Sequence, residues 1–253
     1  MSDIKQPDQT RRDFLSLGSK AAAGIALAPG VMLYGVAQAK PDDQPASSKN
    51  RWGLLIDTNQ CATGCDACVT ACQSENGWGQ GHEEKSNAAQ KPQWIRKVEL
   101  TNKETGFSHS LPVMCQHCEN PPCADVCPTG ASFKRADGIV LVDRHICIGC
   151  RYCMMACPYK ARSLVHEELH NQSPNAPRGK GTVEACTLCV HKVDAGDGTT
   201  ACADACNQAG HQAIVFGDLK DPNSEISKRI AKYATTQIRA DLGLNPGVRY
   251  QGI

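Results

Sequence analysis

The chain has 253 residues, 16 of them cysteine, and only 5% of its residues are aromatic. Large apolar side chains are therefore scarce for this length, and something else is needed to fill the interior. The 27 basic and 26 acidic side chains nearly balance, which argues against a nucleic-acid-binding protein, since such proteins usually carry a basic excess. A mean hydropathy of −0.39 excludes a protein with many membrane spans. Composition thus directs attention to the cysteines.

Residues 1–39 have the order of an export signal. The adjacent Arg11 and Arg12 are followed by an apolar run over 21–37 and then by Ala37-Gln38-Ala39, a small-residue cleavage pattern. This arrangement predicts a cleaved signal of the bacterial twin-arginine (Tat) route, and hence a periplasmic protein. Retention of the segment as an uncleaved anchor is the alternative, although the run is short for a membrane span.

The sixteen cysteines fall into four groups of four, with none left over. An exported chain with an even number of cysteines is usually a disulfide scaffold. The Tat route, however, carries proteins that have already folded in the reducing cytoplasm, where disulfides rarely persist. The groups are Cys61, Cys65, Cys68 and Cys72; Cys115, Cys118, Cys123 and Cys127; Cys147, Cys150, Cys153 and Cys157; and Cys186, Cys189, Cys202 and Cys206. Their spacing favours metal ligands over eight disulfides.

A short apolar strand followed by an aspartate and then a cysteine occurs twice. The segments are LLIDTNQC over 54–61 and IVLVDRHIC over 139–147. Repetition on this scale indicates duplicated supersecondary units. The three residues before the fourth cysteine of each of these groups, 69–71 and 154–156, are predicted to form single helical turns. The polar stretch 76–112 is interpreted as an insertion or a solvated hairpin.

The third cysteine group carries the most specific motif. From Cys147 to Pro158 it reads C-x2-C-x2-C-x3-C-P, the bacterial ferredoxin pattern for a [4Fe–4S] cluster. Steps of two residues allow one loop to bring three thiolates around a cubane, and Gly149 permits the tight turn. In two-cluster ferredoxins the fourth cysteine binds the other cluster. The second group, C-x2-C-x4-C-x3-C-P, is an expanded version of this motif.

Zinc is the alternative metal for paired cysteines. Zinc sites combine two separated C-x-x-C pairs, whereas these groups are runs of four, so the pattern favours iron–sulfur clusters. The sequence contains no C-x-x-C-H, which excludes covalently attached haem. It also contains no nucleophile elbow or Walker loop. We therefore predict an electron-transfer protein without a catalytic centre of its own.

The C-terminal part of the chain contains a linker, the fourth cysteine group and a tail. Prolines and glycines mark the linker over 167–182. Ser224 is predicted to cap a helix over 224–241. We expect an α+β fold of two ferredoxin-like double-cluster modules with insertions and a C-terminal helical tail. After the signal, its segments are the first motif with its insertion (51–111), the central ferredoxin-like module (112–166), the last motif, which completes the outer module (183–217), and the tail (218–253).

The layout of the four motifs over about 51–250 resembles the four-cluster iron–sulfur subunits of the NrfC/PsrB/TtrB/DsrO family. These are periplasmic electron-transfer subunits of membrane respiratory complexes. Several segments are most similar to DsrO, the ferredoxin-like member of the DsrMKJOP complex of dissimilatory sulfur metabolism. They read CQHCENPPCADVCPTGASFKRADGIVLVD, CRYCMMACPYKAR, PRGKGTVEACTLCVHK and FGDLKDPNSEISK.

The resemblance implies four clusters whose ligands cross between the motifs. The first cluster would be held by Cys61, Cys65, Cys68 and Cys206, the second by Cys72, Cys186, Cys189 and Cys202, the third by Cys115, Cys118, Cys123 and Cys157, and the fourth by Cys127, Cys147, Cys150 and Cys153. Between Cys61 and Cys65 lie three residues where the family usually has two. This departure leaves open a three-iron or weakly bound cluster at the first site.

The resemblance also implies the partners. They are an NrfD-type integral membrane subunit that interacts with quinone, together with haem c and other redox subunits, and they would hold the protein at the cytoplasmic membrane. No nucleic acid and no small-molecule substrate is expected. One alternative is the electron-transfer subunit of a molybdopterin polysulfide or tetrathionate-type reductase, which has the same motif layout. Another is a protein whose clusters or zinc ions only hold its fold.

Overall fold

The computed structural model describes residues 46–79, 87, 90–170 and 172–253. The predicted export signal over 1–39 lies outside these residues, as does part of the predicted insertion. Contacts within the chain group 39–253 into one unit, to which every described residue belongs. In the described part of the chain, no helix is long and apolar enough to span a bilayer.

A three-stranded sheet joins distant parts of the chain. Its central strand is β1 (Trp52–Asp57), which pairs antiparallel with β8 (Ile214–Asp218) and parallel with β9 (Val248–Gln251). Because β1 is the central strand, neighbours cover both of its edges, and Leu54 and Ile56 are almost completely buried. Strand β1 lies just before the first cysteine group, so the sheet fixes where that group begins.

The remaining strands form three two-stranded antiparallel sheets. They pair β2 (Ile95–Thr101) with β3 (Ser108–Met114), β4 (Ser132–Lys134) with β5 (Val140–Val142), and β6 (Ser163–Leu164) with β7 (Val183–Glu184). The first of these is the hairpin that the sequence predicted as one interpretation of 76–112. The second contains the repeated apolar strand that precedes the third cysteine group. Short paired strands therefore lead into the cysteine loops.

Short helices carry or flank most of the cysteines. The helices are α1 (Ala67–Asn76), α2 (Pro122–Asp125), α3 (Tyr152–Ala156), α4 (Val190–Ala195), α5 (Ala201–Gln208) and α6 (Glu225–Lys232), with a 3-10 turn at Ala240–Leu242. The predicted helical turns at 69–71 and 154–156 lie within α1 and α3. Helix α1 packs against α5, and α2 packs against α3. The first cysteine group therefore meets the fourth, and the second meets the third.

Buried apolar residues form two clusters that follow this pairing of groups. One surrounds β1 and contains Trp78, Trp94 and four cysteines of the first and fourth groups. The other contains five cysteines of the second and third groups, together with Val140 and Tyr159. Cys186 packs against both clusters. Cysteines thus occupy the interior positions that large side chains fill in most proteins of this size.

The C-terminal segment differs from the predicted helical tail. The predicted helix over 224–241 ends at Lys232, and Tyr233 is already extended, with φ −121° and ψ 147°. After Ala234 come Thr235 and Thr236, whose branched β-carbons favour extended backbone, and Thr236 forms an isolated antiparallel bridge to Tyr250. The chain then adds β9 to the central sheet. The C-terminal segment therefore contains a helix and also a strand that belongs to the central sheet.

Candidate metal centres

Three of the four residues of the first predicted ligand set lie between β1 and the first turn of α1. Cys61 and Cys65 are in the connecting loop, Cys68 is in the first turn of α1, and Cys206 is on α5. Cys68 interacts electrostatically with Cys61 and Cys206, and also with Cys202. Burial, followed by these neighbouring thiols, raises the pKa of Cys68 to about 12. The structure thus places Cys68 near two cysteines of the fourth group that are far from it in sequence.

The second predicted set combines one residue of α1 with the fourth cysteine group. Cys186 interacts electrostatically with Cys72, Cys202 and Cys189, and burial raises its pKa. Cys72 lies one helical turn after Cys68 on α1, yet it interacts with Cys202 and Cys189. Two successive turns of one helix therefore each place a thiol near Cys202, and Cys72 also lies near Cys189 and Cys186.

The third predicted set is buried throughout. Cys115 and Cys118 come from the loop after β3, Cys123 from α2, and Cys157 from the end of α3. Both Cys115 and Cys118 interact electrostatically with Cys123 and Cys157. Burial is the largest cause of the raised pKa of Cys115 and Cys118, to about 12 in each. The fourth cysteine of the third group thus approaches the second group.

All four residues of the fourth predicted set border one small cavity, which is lined by Cys127, Cys147, Cys150 and Cys153. Gly149 turns the chain between two of them with φ +68°, a conformation that favours glycine. A β-carbon at this position would also collide with the carbonyl oxygen of Gly181. The glycine predicted to permit a tight turn therefore also permits a close backbone approach.

Cys150 is the only one of the sixteen cysteines that is exposed. Large apolar side chains close to it in sequence are also exposed, with 66% of Ile148, 54% of Tyr152 and 66% of Met155 accessible to solvent. The fourth set therefore has one ligand position at the molecular surface.

Each predicted set receives hydrogen bonds at sulfur. Backbone N–H groups of Ser132, Val183 and Ala213 donate to Cys127, Cys147 and Cys206 at 3.3, 3.4 and 3.3 Å. Side chains also donate, and three of these hydrogen bonds run from Lys97 Nζ to Cys61 at 3.2 Å, from Trp78 Nε1 to Cys72 at 3.3 Å, and from Arg162 Nη2 to Cys123 at 3.0 Å. The sequence analysis missed these three residues, because nothing in the spacing of a lysine, a tryptophan or an arginine marks it as a thiolate partner.

The residues around the thiols fit an iron–sulfur cubane. The buried Nη1 of Arg162 and Nε2 of His117 have no hydrogen-bond partner in the described structure, and cluster sulfurs are acceptors that would satisfy them. Burial, and then the charge of Arg162, lowers the pKa of His117 to about 3, and its Nδ1 accepts the Val140 N–H at 3.0 Å. The neutral ring therefore presents an N–H at Nε2.

The spacing of the thiols bears on the type of metal centre. Among the described residues, no three side chains of His, Cys, Asp or Glu lie close enough together to share a single metal ion. A single zinc ion holds its thiolate ligands at about 2.3 Å. A cubane instead separates its four ligands by the width of its iron–sulfur core.

Comparison with known proteins agrees with this chemistry. A family model described as a 4Fe-4S dicluster domain matches residues 107–218. The chain is 41% identical to the Hdr-like menaquinol oxidoreductase iron-sulfur subunit 1 of Archaeoglobus fulgidus, with 95% of this chain and 97% of the relative covered. It is 35% identical to a tetrathionate reductase subunit of Salmonella typhimurium, with 97% and 89% covered.

A third relative, described as a protein NrfC homolog of Haemophilus influenzae, is 32% identical, with 94% of this chain and 93% of the relative covered. These matches extend over nearly the whole chain and confirm the family resemblance derived from the cysteine motifs. The chain binds four [4Fe–4S] clusters. The chain therefore belongs to the family of ferredoxin-like [4Fe–4S] iron–sulfur subunits that includes NrfC and the tetrathionate reductase subunit.

Proposed function

We propose that this protein is a periplasmic electron-transfer subunit that relays single electrons between a quinone-reactive membrane subunit and other redox subunits. Each cubane, when bound, accepts and releases one electron. A relative that is 41% identical is named as a subunit of a menaquinol oxidoreductase, which supports quinol as the partner chemistry. The proposed complex also contains an NrfD-type membrane subunit and a haem c subunit, and the protein itself has no substrate site.

The observation that carries the proposal is that thiols assigned to successive sets lie close to one another. Cys68 of the first set interacts with Cys202 of the second. Cys186 of the second set interacts with Cys115 of the third. Each set therefore has a thiol within electrostatic reach of the next, which is the arrangement that single-electron hopping needs.

The order continues to the molecular surface. Cys153 of the fourth set interacts with Cys123 of the third. The fourth set also contains Cys150, the exposed cysteine, so an electron can enter or leave at that end.

We propose the crossed ligand sets as the basis of this order. They divide the protein into two double-cluster modules, an outer one built from the first and fourth motifs and an inner one built from the second and third. Cys68 and Cys72 provide the sharpest test, because they are one helical turn apart but belong to different sets. Cys68→Ala and Cys206→Ala should each remove the same electron paramagnetic resonance (EPR) signal. Cys72→Ala and Cys189→Ala should each remove a different one, and loss of one shared signal by all four variants would overturn the crossing.

Anaerobic co-purification tests the proposed complex. The tagged full-length protein is isolated from mildly solubilised native membranes, and iron is counted per chain. We expect about 16 iron atoms per chain, together with a multi-span quinone-type subunit and a haem protein. Isolation of the protein alone, with zinc in place of iron, would overturn the relay.

A molybdopterin reductase is the second candidate complex, because the chain is 35% identical to a subunit of tetrathionate reductase over 97% of its length. In that complex the electron acceptor would be a pterin enzyme instead of a haem protein. Co-purification of a large pterin-binding subunit would assign the protein to this class. The similarity of its non-ligand segments to DsrO favours the first complex and a role in dissimilatory sulfur metabolism.

The proposed location depends on the twin arginines. Replacing Arg11 and Arg12 together with lysine should retain the protein in the cytoplasm with its iron bound, since folding and cluster insertion precede export. Fractionation and mass spectrometry of the N-terminus measure both the location and the cleavage after Ala39. Efficient export of the double variant would contradict the Tat assignment.

A further inference from the structure

Arg162 is a buried cation at the junction of two cluster sites. Arg162 is only 6% exposed, and its Nη2 donates a hydrogen bond to Cys123 Sγ at 3.0 Å. The guanidinium also interacts electrostatically with Cys115, Cys153 and Cys157. Cys153 belongs to the fourth proposed set and the other three cysteines to the third. One positive charge thus faces thiols of both sets.

Arg178, the other buried arginine of the described chain, has a carboxylate partner, and so has the partly buried Arg135. Arg178 forms two hydrogen bonds of 2.9 Å with Glu184, and Arg135 binds Asp137 and Asp194 at 2.7 Å. The ion pairs of the described chain include no carboxylate for Arg162, and its Nη1 is buried without a hydrogen-bond partner.

An uncompensated buried charge is strongly destabilising. The groups that face Arg162 are thiols, which become thiolates when they bind iron. A cubane with four thiolates is anionic, so it supplies the missing countercharge. The surroundings of the guanidinium therefore suit the cubane with its thiolates, an anion whose charge is spread over a larger volume than that of one carboxylate.

We propose that Arg162 is a potential-setting cation shared by the third and fourth cluster sites. Reduction adds one negative charge to a cubane. A fixed positive charge in a buried setting therefore stabilises the reduced cluster more than the oxidised one, and raises its reduction potential. The effect is larger at the third site, because the hydrogen bond at sulfur is made there. Arg162 thus makes the third cluster, and less strongly the fourth, easier to reduce, an inference that itself depends on the relay proposed above.

Reduction potentials test this role more directly than activity does. The full-length protein and its variants are titrated anaerobically with dithionite, and each cluster signal is followed by EPR. Arg162→Gln removes the charge but keeps N–H donors, and Arg162→Lys keeps the charge. Lys160→Gln is the matched control, because Lys160 is an exposed cation two residues away.

Arg162→Gln should lower the equilibrium constant for one-electron reduction of one or two of the four clusters at least tenfold. This corresponds to a fall of about 59 mV in reduction potential. The first and second sites should keep their potentials. Arg162→Lys should restore most of the lost potential, and Lys160→Gln should match the wild type. Unchanged potentials in an Arg162→Gln protein with full iron content would overturn the inference and leave the relay intact. Absence of clusters from the wild-type protein would instead overturn the relay.

A second measurement gives its main result on the wild-type protein, so it does not depend on whether a variant folds. Wild-type protein labelled with ¹⁵N-arginine should show nitrogen coupling to one reduced cluster in pulsed EPR, and Arg162→Lys should lose this coupling. If the labelled wild-type protein shows no arginine coupling to any cluster, the inference fails, even where Arg162→Gln does not retain its iron.

Discussion

Trp78 and Trp94 are two buried indoles that differ in what their N–H groups meet. Trp78 Nε1 donates to Cys72 Sγ at 3.3 Å, whereas Trp94 Nε1 is buried without a hydrogen-bond partner in the described structure. Trp78→Phe should therefore lower the potential of the second cluster, because a hydrogen bond to a thiolate is worth about 1.5–3 kcal/mol and strengthens on reduction. An EPR-monitored redox titration measures the shift.

Trp94→Phe is the matched control for this prediction. It removes the same ring volume and an N–H from the interior but takes nothing from a cysteine, so all four potentials should stay at their wild-type values. Equal shifts in the two variants would mean that indole packing, and not the hydrogen bond to Cys72, controls the second site.

Lys97 bears on the stability of the first cluster. Its Nζ donates to Cys61 Sγ at 3.2 Å and to the carbonyl oxygen of Ala62 at 3.0 Å, which holds the loop where the motif departs from the family spacing. Lys97→Met should therefore speed the loss of iron from this site in air, seen as faster growth of a three-iron EPR signal. Lys103→Met, at an exposed turn, should lose iron at the wild-type rate. Equal rates in both variants would contradict a role for Lys97.

At the scale of single elements, β1 and β9 approach each other closely. A β-carbon on Gly53 would collide with the carbonyl oxygen of Gly247, the residue before β9. Gly53→Ala should therefore destabilise the sheet by about 1–3 kcal/mol, as overpacking does in other cores. Thermal unfolding of the cluster-loaded protein, followed by circular dichroism, should show a lower apparent midpoint.

Gly179 provides the comparison for this substitution. A β-carbon there meets only the side chain of Thr182 at ordinary distances, starting at 3.6 Å. Gly179→Ala should leave the midpoint within a degree or two of the wild type. A Gly53→Ala protein that unfolds at the same temperature as Gly179→Ala would show that the sheet can separate its strands at little cost.

The secondary structure was predictable where local pattern decides it. The apolar runs before the first and third cysteine groups are strands, and Ser224 caps α6, its Oγ accepting the Ser227 N–H at 3.3 Å. The end of that helix was not predictable, because Tyr233 and the following residues leave the helix for a bridge to Tyr250. Periodicity within one segment carries no information about a strand that joins the sheet from the other side of the molecule.

At the scale of the whole protein, the clusters replace a large part of the ordinary core. The two buried clusters of apolar residues together contain nine cysteines that are themselves buried. Removal of iron by a chelator and an oxidant under anaerobic conditions should therefore abolish cooperative unfolding and near-ultraviolet circular dichroism. Chelator alone, without oxidant, should leave the protein folded. Retention of a sharp thermal transition in the iron-free protein would contradict this role of the clusters.

The candidate sites were predictable in part. Cysteine spacing alone defined four groups and favoured [4Fe–4S] clusters, because a cubane imposes its ligand pattern on the local sequence. The crossing of ligands came from the family resemblance, since no local pattern relates Cys68 to Cys206. Lys97 and Arg162 could not be predicted, because each reaches its sulfur across an interface between elements that only the fold creates. Trp78 lies only six residues from Cys72, but nothing in that spacing marks an indole as a thiolate partner.

The parallel pairing of β1 with β9 has a consequence for biosynthesis. The ribosome synthesises Trp52–Asp57 nearly two hundred residues before Val248–Gln251. Strand β1 therefore lacks one of its two neighbouring strands during most of translation. The thiols of the first motif likewise lack Cys202 and Cys206 until the fourth motif has been synthesised. We therefore expect the outer pair of clusters to be loaded after the inner pair, and only on a chain that has been completed. Stalled or truncated chains would therefore carry cysteines that bind no cluster. Such exposed, metal-free thiols would let the cell recognise incomplete chains before export.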